Sequence, residues 1–184
     1  MNKFRTLNET DIECKIARYS EFGGQFYGLN LLLYKTARVD MDLLDETVGP
    51  ENWSCDYREI KGNLYCGIGI RSAEDKPFIW KWNCGIESRA DGDGNEKKGE
   101  ASDAMKRAGF CWGIGRELYT APEIFIPARY FNVKERNGKH VTYDHFIVEK
   151  IAYDDNRRIS GIAIRNSTNN RRCFVWPQTK KEEK

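Results

Sequence analysis

The sequence predicts an α+β fold: an antiparallel three-stranded β-meander flanked by two helices, a β-β-β-α core, with extra C-terminal β-hairpin strands. Three observations predict it. Residues 37–48 repeat apolar side chains at helical spacing and stop at Gly49-Pro50. Residues 53–86 hold three segments of alternating polarity separated by turn-forming residues. A second helical stripe follows from Ala101, and nothing in this order has the rhythm of a parallel crossover.

In chain order, the apolar run LNLLLYK from Leu29 leads into the first helix, whose stripe is Ala37, Met41, Leu44 and Val48. WSCDYREI, a turn at Lys61-Gly62-Asn63 and LYCGIGIR then read as two hairpin strands. The third strand, FIWKWNCGI, sets Phe78, Trp80, Trp82, Cys84 and Ile86 on one face and Ile79, Lys81, Asn83 and Gly85 on the other, one of the two faces being core. The second helix carries Ala101, Ala104, Met105, Ala108, Trp112 and Leu118 along one stripe. Three glycines in that helix, Gly109, Gly113 and Gly115, each cost about 1 kcal/mol relative to alanine. Close packing is the expected reason for them, the Gly67-Gly69 face of the second strand being the nearest candidate. FIPARYFNV, HVTYDHFIVEKIAY and RISGIAIRN read as further strands, with turns at Asn137-Gly138 and Asp154-Asp155-Asn156. The expected organisation is a 1–28 N-terminal strand and oligomerisation segment, a 29–122 core, a 123–177 β-rich extension and a disordered 178–184 tail.

Thirty basic and 28 acidic residues leave a net charge of +2, so attraction for nucleic acid must come from local clustering. No stretch approaches the ~20 apolar residues of a membrane span, and the N-terminus lacks a signal-peptide core. A soluble, cytoplasmic protein with no membrane partner is expected. The six cysteines are scattered through apolar or β-like stretches, as reduced thiols are.

The stretch KKGEASDAMKRAGFCWGIGRELY is the most informative for chemistry. On a helix, Lys106 and Arg107 lie about 100° apart, away from the alanine stripe, so both heads can reach one groove. Two adjacent cations on a rigid scaffold either clamp phosphates without regard to sequence or form a solvated face. Arg38 offers a similar choice, because Asp42 four residues on makes an intrahelical ion pair possible. A looser basic surface comprises Arg58, Lys61, Arg71, Lys81, Arg89, Lys97 and Lys98, of which Lys97 and Lys98 stand out by preceding the second helix directly. The loop DGDGNE falls short of a calcium loop, with Glu96 where glycine is needed and Ser102 where glutamate is needed. His140 and His145, five apart, and cysteines without zinc-knuckle spacing give no metal or nucleophilic site.

The block KGEASDAMKRAGFCWGIGRELY resembles the signature of the Rad fifty-two type single-strand annealing proteins, particularly their phage and prophage branch. ARVDMDLLDETVGPENW resembles the first helix of that family, and the three strands occupy its β-β-β place. The similarity spans about Leu29 to Pro122. It implies an oligomeric ring that holds single-stranded DNA by its phosphates in recombination and repair, with no cofactor. The chain has no G-x-x-x-x-G-K-[ST] phosphate loop, in line with annealing that needs no ATP. It implies DNA-binding roles for Arg38, Lys106 and Arg107. Some relatives carry a further basic residue where this chain has Phe110, for which Arg116 or stacking by Phe110 would substitute. The partners implied are single-stranded DNA, further copies of the chain, and a single-strand-binding protein or phage exonuclease in a bacterial host.

Two other readings remain at this point. Helix-plus-sheet domains with basic helix ends also read double-stranded RNA. A metal-dependent nuclease would need carboxylates such as Asp56, Glu59 and Glu87 to converge.

Overall fold

A computed structural model describes residues 3–23, 25–86 and 96–177, with side chains in the second helix described from Gly99 onward. Expectations for the DGDGNE loop and the 178–184 tail lie outside the described residues. In chain order the elements are β1 (Glu13–Phe22), β2 (Gln25–Tyr34), α1 (Ala37–Val48), β3 (Trp53–Ile60), β4 (Asn63–Ile70), β5 (Ile79–Cys84) and α2 (Glu96–Trp112). There follow β6 (Ile124–Pro127), β7 (Lys134–Arg136), β8 (Lys139–Val141), β9 (Phe146–Tyr153), β10 (Ile159–Asn166) and β11 (Arg171–Trp176). The class is mixed α+β, with antiparallel sheets.

The chain divides into two compact units, one of residues 1–6 and 35–116, the other of residues 7–34 and 117–184. This corrects the expected boundaries at 28/29 and 122/123. The apolar run from Leu29 does not open the first helix. It is the second half of β2, paired with β1 on one side and β6 on the other, so it belongs with the second unit.

In the first unit, β3, β4 and β5 form a three-stranded sheet in that order. The β3–β4 turn falls at Lys61-Gly62 as the sequence predicts, both residues in the left-handed region (φ 52° and 76°) that a two-residue hairpin turn requires. Cys66, Ile68 and Ile70 alternate onto the face that α2 covers with Ala104, Met105 and Ala108, all buried. The Trp112 indole N–H donates to the Ile68 carbonyl at 2.9 Å. Gly85 allows the close helix-to-sheet approach, because a Cβ there would come within 2.3 Å of the Glu100 carbonyl oxygen. The face of β5 turned to α2 is therefore the Lys81–Asn83–Gly85 face, and the Phe78–Trp80–Trp82 face is turned away from it.

α1 ends where predicted: Gly49 adopts φ 84° and its N–H returns to the Asp45 carbonyl at 3.1 Å. Its buried stripe differs from the predicted one. Asp40, Leu43 and Leu44 are buried while Met41 is exposed, because Asp40 has a buried cation, Lys35, to pair with. α2 ends at Trp112, earlier than the stripe reaching Leu118 implied. Gly113 takes φ 95°, its N–H bonds the Phe110 carbonyl, and Ile114 N–H bonds the Gly109 carbonyl while the Ile114 side chain is fully buried. That is a Schellman stop, and it explains Gly113 without any packing partner.

In the second unit the sheet order is β11-β10-β9-β1-β2-β6. Leu29, Leu31, Ile124, Ile126, Val148, Ile162 and Ile164 give this unit a core of its own. The β7–β8 hairpin turns at Asn137-Gly138, both at positive φ, as predicted. β11 has no counterpart in the sequence reading. It enters through a turn at Asn169-Asn170, where Asn170 holds φ 57°. On this sheet Glu149 lies between Arg165 and Arg172, whose hydrogen bonds hold its carboxyl down at about 2.

Candidate nucleic-acid interface

The helices of the first unit meet at a buried ion pair. Lys35 Nζ lies 2.5 Å from the Asp40 carboxylate, with the two side chains 3% and 0% exposed. Gly109 faces this carboxylate so closely that a Cβ at 109 would sit 2.2 Å from Asp40 Oδ1. The Lys35 ammonium also reaches the Lys106 carbonyl at 3.5 Å and lies over the Phe110 ring, 5.8 Å from its centroid. Gly109 thus serves close packing against α1, not against the Gly67-Gly69 face. Burial pushes the Asp40 carboxyl up from its ordinary 3.8 to about 6, and the Lys35 charge opposes that rise.

On α2 the side turned away from the core carries Asp103, Lys106, Arg107 and Phe110. Asp103 organises the two cations: its Oδ2 accepts from Arg107 Nε at 2.7 Å, and its Oδ1 lies 3.8 Å from Lys106 Nζ. The same carboxylate accepts the Ile86 N–H at 3.1 Å, which ties it to the end of β5. Lys106 and Arg107 are 29% and 40% exposed along their side chains, and both engage the Asp103 carboxylate. Asp103 was missed from the sequence, although its spacing three and four residues before the cations was the signal that could have found it.

Arg38 sits in the first turn of α1, exposed, and makes no ion pair with Asp42 among the described residues. It leaves α1 about 200° round from the inward-pointing Asp40, so it faces solvent and not the helix interface. The structure brings Lys106 and Arg107 together, with Arg38 on the outer side of the adjoining helix.

Two other sequence candidates have structural work. Arg116 donates from Nε to the Phe110 carbonyl at 2.7 Å and from Nη2 to the Cys111 carbonyl at 3.0 Å. Lys81 Nζ reaches the same Cys111 carbonyl at 3.0 Å and lies 4.2 Å from the centre of a Trp112 ring. Both cations satisfy carbonyls at the negative end of the α2 dipole. Phe110 is half-buried, beneath Lys35. Lys97 and Lys98 lie in the first turn of α2, but their side chains are outside the described ones, as is Arg89.

Asp56 and Glu59 stand opposite Gly67 and Leu64, three apart on β3, and so project from opposite faces of the sheet. Glu87 lies outside the described residues. Among the described residues no cluster of three or more His, Cys, Asp or Glu side chains could hold a metal ion. All six cysteines are free thiols. Among the described residues no helix is long and apolar enough to cross a membrane. No family model, curated protein or solved structure matches the chain.

Proposed function

We propose that the chain is a single-stranded DNA annealing protein of the Rad fifty-two type, active without ATP as an oligomeric ring in a phage or prophage recombination system. The observation that carries this reading is the outward face of α2. Lys106 and Arg107 stand there side by side and partly exposed, on a helix that packs through Gly109 against the buried Lys35–Asp40 pair of the α1 segment. In this reading the sheet β3–β5 with its two helices is the β-β-β-α annealing core. The strand runs over the outer faces of the helices, its phosphates held by Lys106, Arg107 and Arg38. Contacts of this kind ignore sequence and leave base edges free to find a complement, so pairing itself drives the reaction. A single-strand-binding protein or an exonuclease that generates single strands would be its natural partner.

The test is annealing of two complementary dye-labelled oligonucleotides without nucleotide or divalent metal. The wild-type protein is expected to accelerate duplex formation, and the Arg38→Ala/Lys106→Ala/Arg107→Ala variant to lose that acceleration while keeping its circular dichroism. A wild-type rate no faster than the protein-free one, or ready displacement of the DNA by duplex RNA, would overturn the reading.

Asp103 supplies a sharper check. Asp103→Asn removes a carboxylate that engages both cations, so affinity for an oligo-dT should rise severalfold at low salt, measured by fluorescence anisotropy. A fall in affinity would mean that the carboxylate positions the cations more than it neutralises them.

A further inference from the structure

In the second unit, the end of the sheet where β10 turns into β11 carries Arg165, Arg171 and Arg172, and Arg129 reaches it from the short turn Ala128–Tyr130. Glu149 neutralises Arg165 and Arg172. Arg129 and Arg171 are used differently. Both are exposed, and both lie over the Tyr130 ring, their guanidinium carbons 4.8 and 5.5 Å from its centroid. Neither has a carboxylate partner among the described residues, and the Arg171 guanidinium makes one hydrogen bond there, from Nη1 to the Arg129 carbonyl at 3.4 Å.

The backbone that presents these two cations is fixed from the inside. The Tyr130 carbonyl accepts from Nδ2 of Asn166 and from Nδ2 of Asn169, each at 3.0 Å. Asn166 is fully buried and donates from the same nitrogen to Asp144 at 2.8 Å. Asp144, buried as well, accepts the Asn132 N–H at 2.9 Å, and Asn169 Oδ1 accepts the Arg171 N–H at 3.1 Å. Residues 130–132 and 166–171 are thus held against each other by one hydrogen-bonded network. Burying polar groups is costly unless they are paired, and a paired network rigidifies what it holds. Here it holds two guanidiniums whose flat faces rest on a ring and whose N–H donors are largely unspent.

We infer that this surface docks an acidic segment of a partner protein, with one carboxylate taken by Arg129 and a second by Arg171. The planar fork of a guanidinium matches a carboxylate in two parallel hydrogen bonds, which a lysine ammonium cannot do. The rings argue against a strand of nucleic acid as the occupant. Tyr130 already carries two guanidiniums, and Tyr143 carries Lys134, 5.4 Å from its centroid, so these aromatic faces hold cations where a base would have to stack. Beside the arginines Val133 is 38% exposed and Tyr143 58%, apolar surface that suits a segment in which acidic residues alternate with apolar ones. The inference goes beyond the annealing reading and uses no residue of the α2 site.

The experiment measures anisotropy of a fluorescein-labelled peptide of about ten residues, aspartate alternating with leucine, on the full-length protein. A peptide with asparagine in place of aspartate is the control. Expected are binding of the acidic peptide alone, an affinity at least about tenfold lower for Arg129→Glu/Arg171→Glu, and an intermediate loss for Arg129→Lys/Arg171→Lys, which keeps the charge without the fork. Both side chains are exposed, and circular dichroism of each variant guards against loss of fold. No binding of the acidic peptide at about 1 mM, equal binding of the asparagine peptide, or wild-type affinity in the glutamate variant overturns the site. An acidic peptide that leaves bound oligo-dT in place, combined with loss of oligo-dT affinity in the glutamate variant but not of peptide affinity, makes the surface a nucleic-acid contact and overturns it too. Loss of self-association in that variant with peptide affinity unchanged would make it a contact between copies. None of these outcomes touches the annealing test, which uses Arg38, Lys106 and Arg107.

Discussion

Lys35→Met is expected to cost about 3–5 kcal/mol of stability at pH 7, the usual effect of removing one partner from a buried ion pair. The variant leaves the Asp40 carboxylate fully buried with its opposing charge gone. The pH dependence follows from the direction of the Asp40 shift. Its carboxyl titrates at about 6 in the fold against an ordinary 3.8, so its contribution is present below the lower value and lost as pH rises through the upper one. Without Lys35, which lowers it, the folded value rises further, so the deficit should be large at pH 7 and markedly smaller at pH 5. Lys35→Met with Asp40→Leu should recover most of the loss, since an apolar pair of similar volume replaces an ionic one. Urea unfolding followed by tryptophan fluorescence at the two pH values measures all of this. A deficit equal at both pH values, or no recovery in the double variant, would refute the role assigned to the pair.

Gly109→Ala should destabilise the protein by about 2–3 kcal/mol, although alanine in an open helix would stabilise it by about 1 kcal/mol. The sign reverses because the added methyl would lie 2.2 Å from Asp40 Oδ1 and must push that carboxylate off Lys35. The coupling can be isolated: in an Asp40→Ala background the same substitution should cost far less, giving a non-additivity of more than about 1 kcal/mol in a double-mutant cycle. Additive effects would mean that Gly109 meets something other than Asp40.

These two predictions mark where sequence reading stops. The positions of β3, β4 and β5, the Gly49 stop and the Asn137-Gly138 turn were legible, because alternation and turn chemistry are local signals. The α1 stripe was misjudged by one residue, from Met41 to Asp40, since no pattern of polarity anticipates a buried aspartate whose partner, Lys35, lies outside the helix. The Trp80–Trp82 face was open to either assignment, and the helix took the face with Lys81 because that side chain and Asn83 reach α2 backbone carbonyls. Leu29–Tyr34 is a strand because β1 and β6 pair with it, a fact held by residues far along the chain.

The candidate site was legible in part. Lys106 and Arg107 project from the outward side of α2 as helical geometry requires, while their shared carboxylate, Asp103, went unread although its i−3/i−4 spacing signalled it. The roles of Arg116 and Lys81 were not, because capping of the α2 carbonyls depends on where the helix ends and which strand runs beside it.

The salt dependence of single-stranded DNA affinity tests the central claim most directly, because each phosphate contact releases counterions and steepens the logarithmic slope by about 0.7 for a single strand. Affinity for an oligo-dT, measured across a range of salt concentrations, is predicted to fall steeply for the wild-type protein. For Arg38→Ala/Lys106→Ala/Arg107→Ala the slope should be shallower by about 2, with weaker binding at low salt. A triple variant matching the wild type in both affinity and slope would show that these helices do not hold the phosphates.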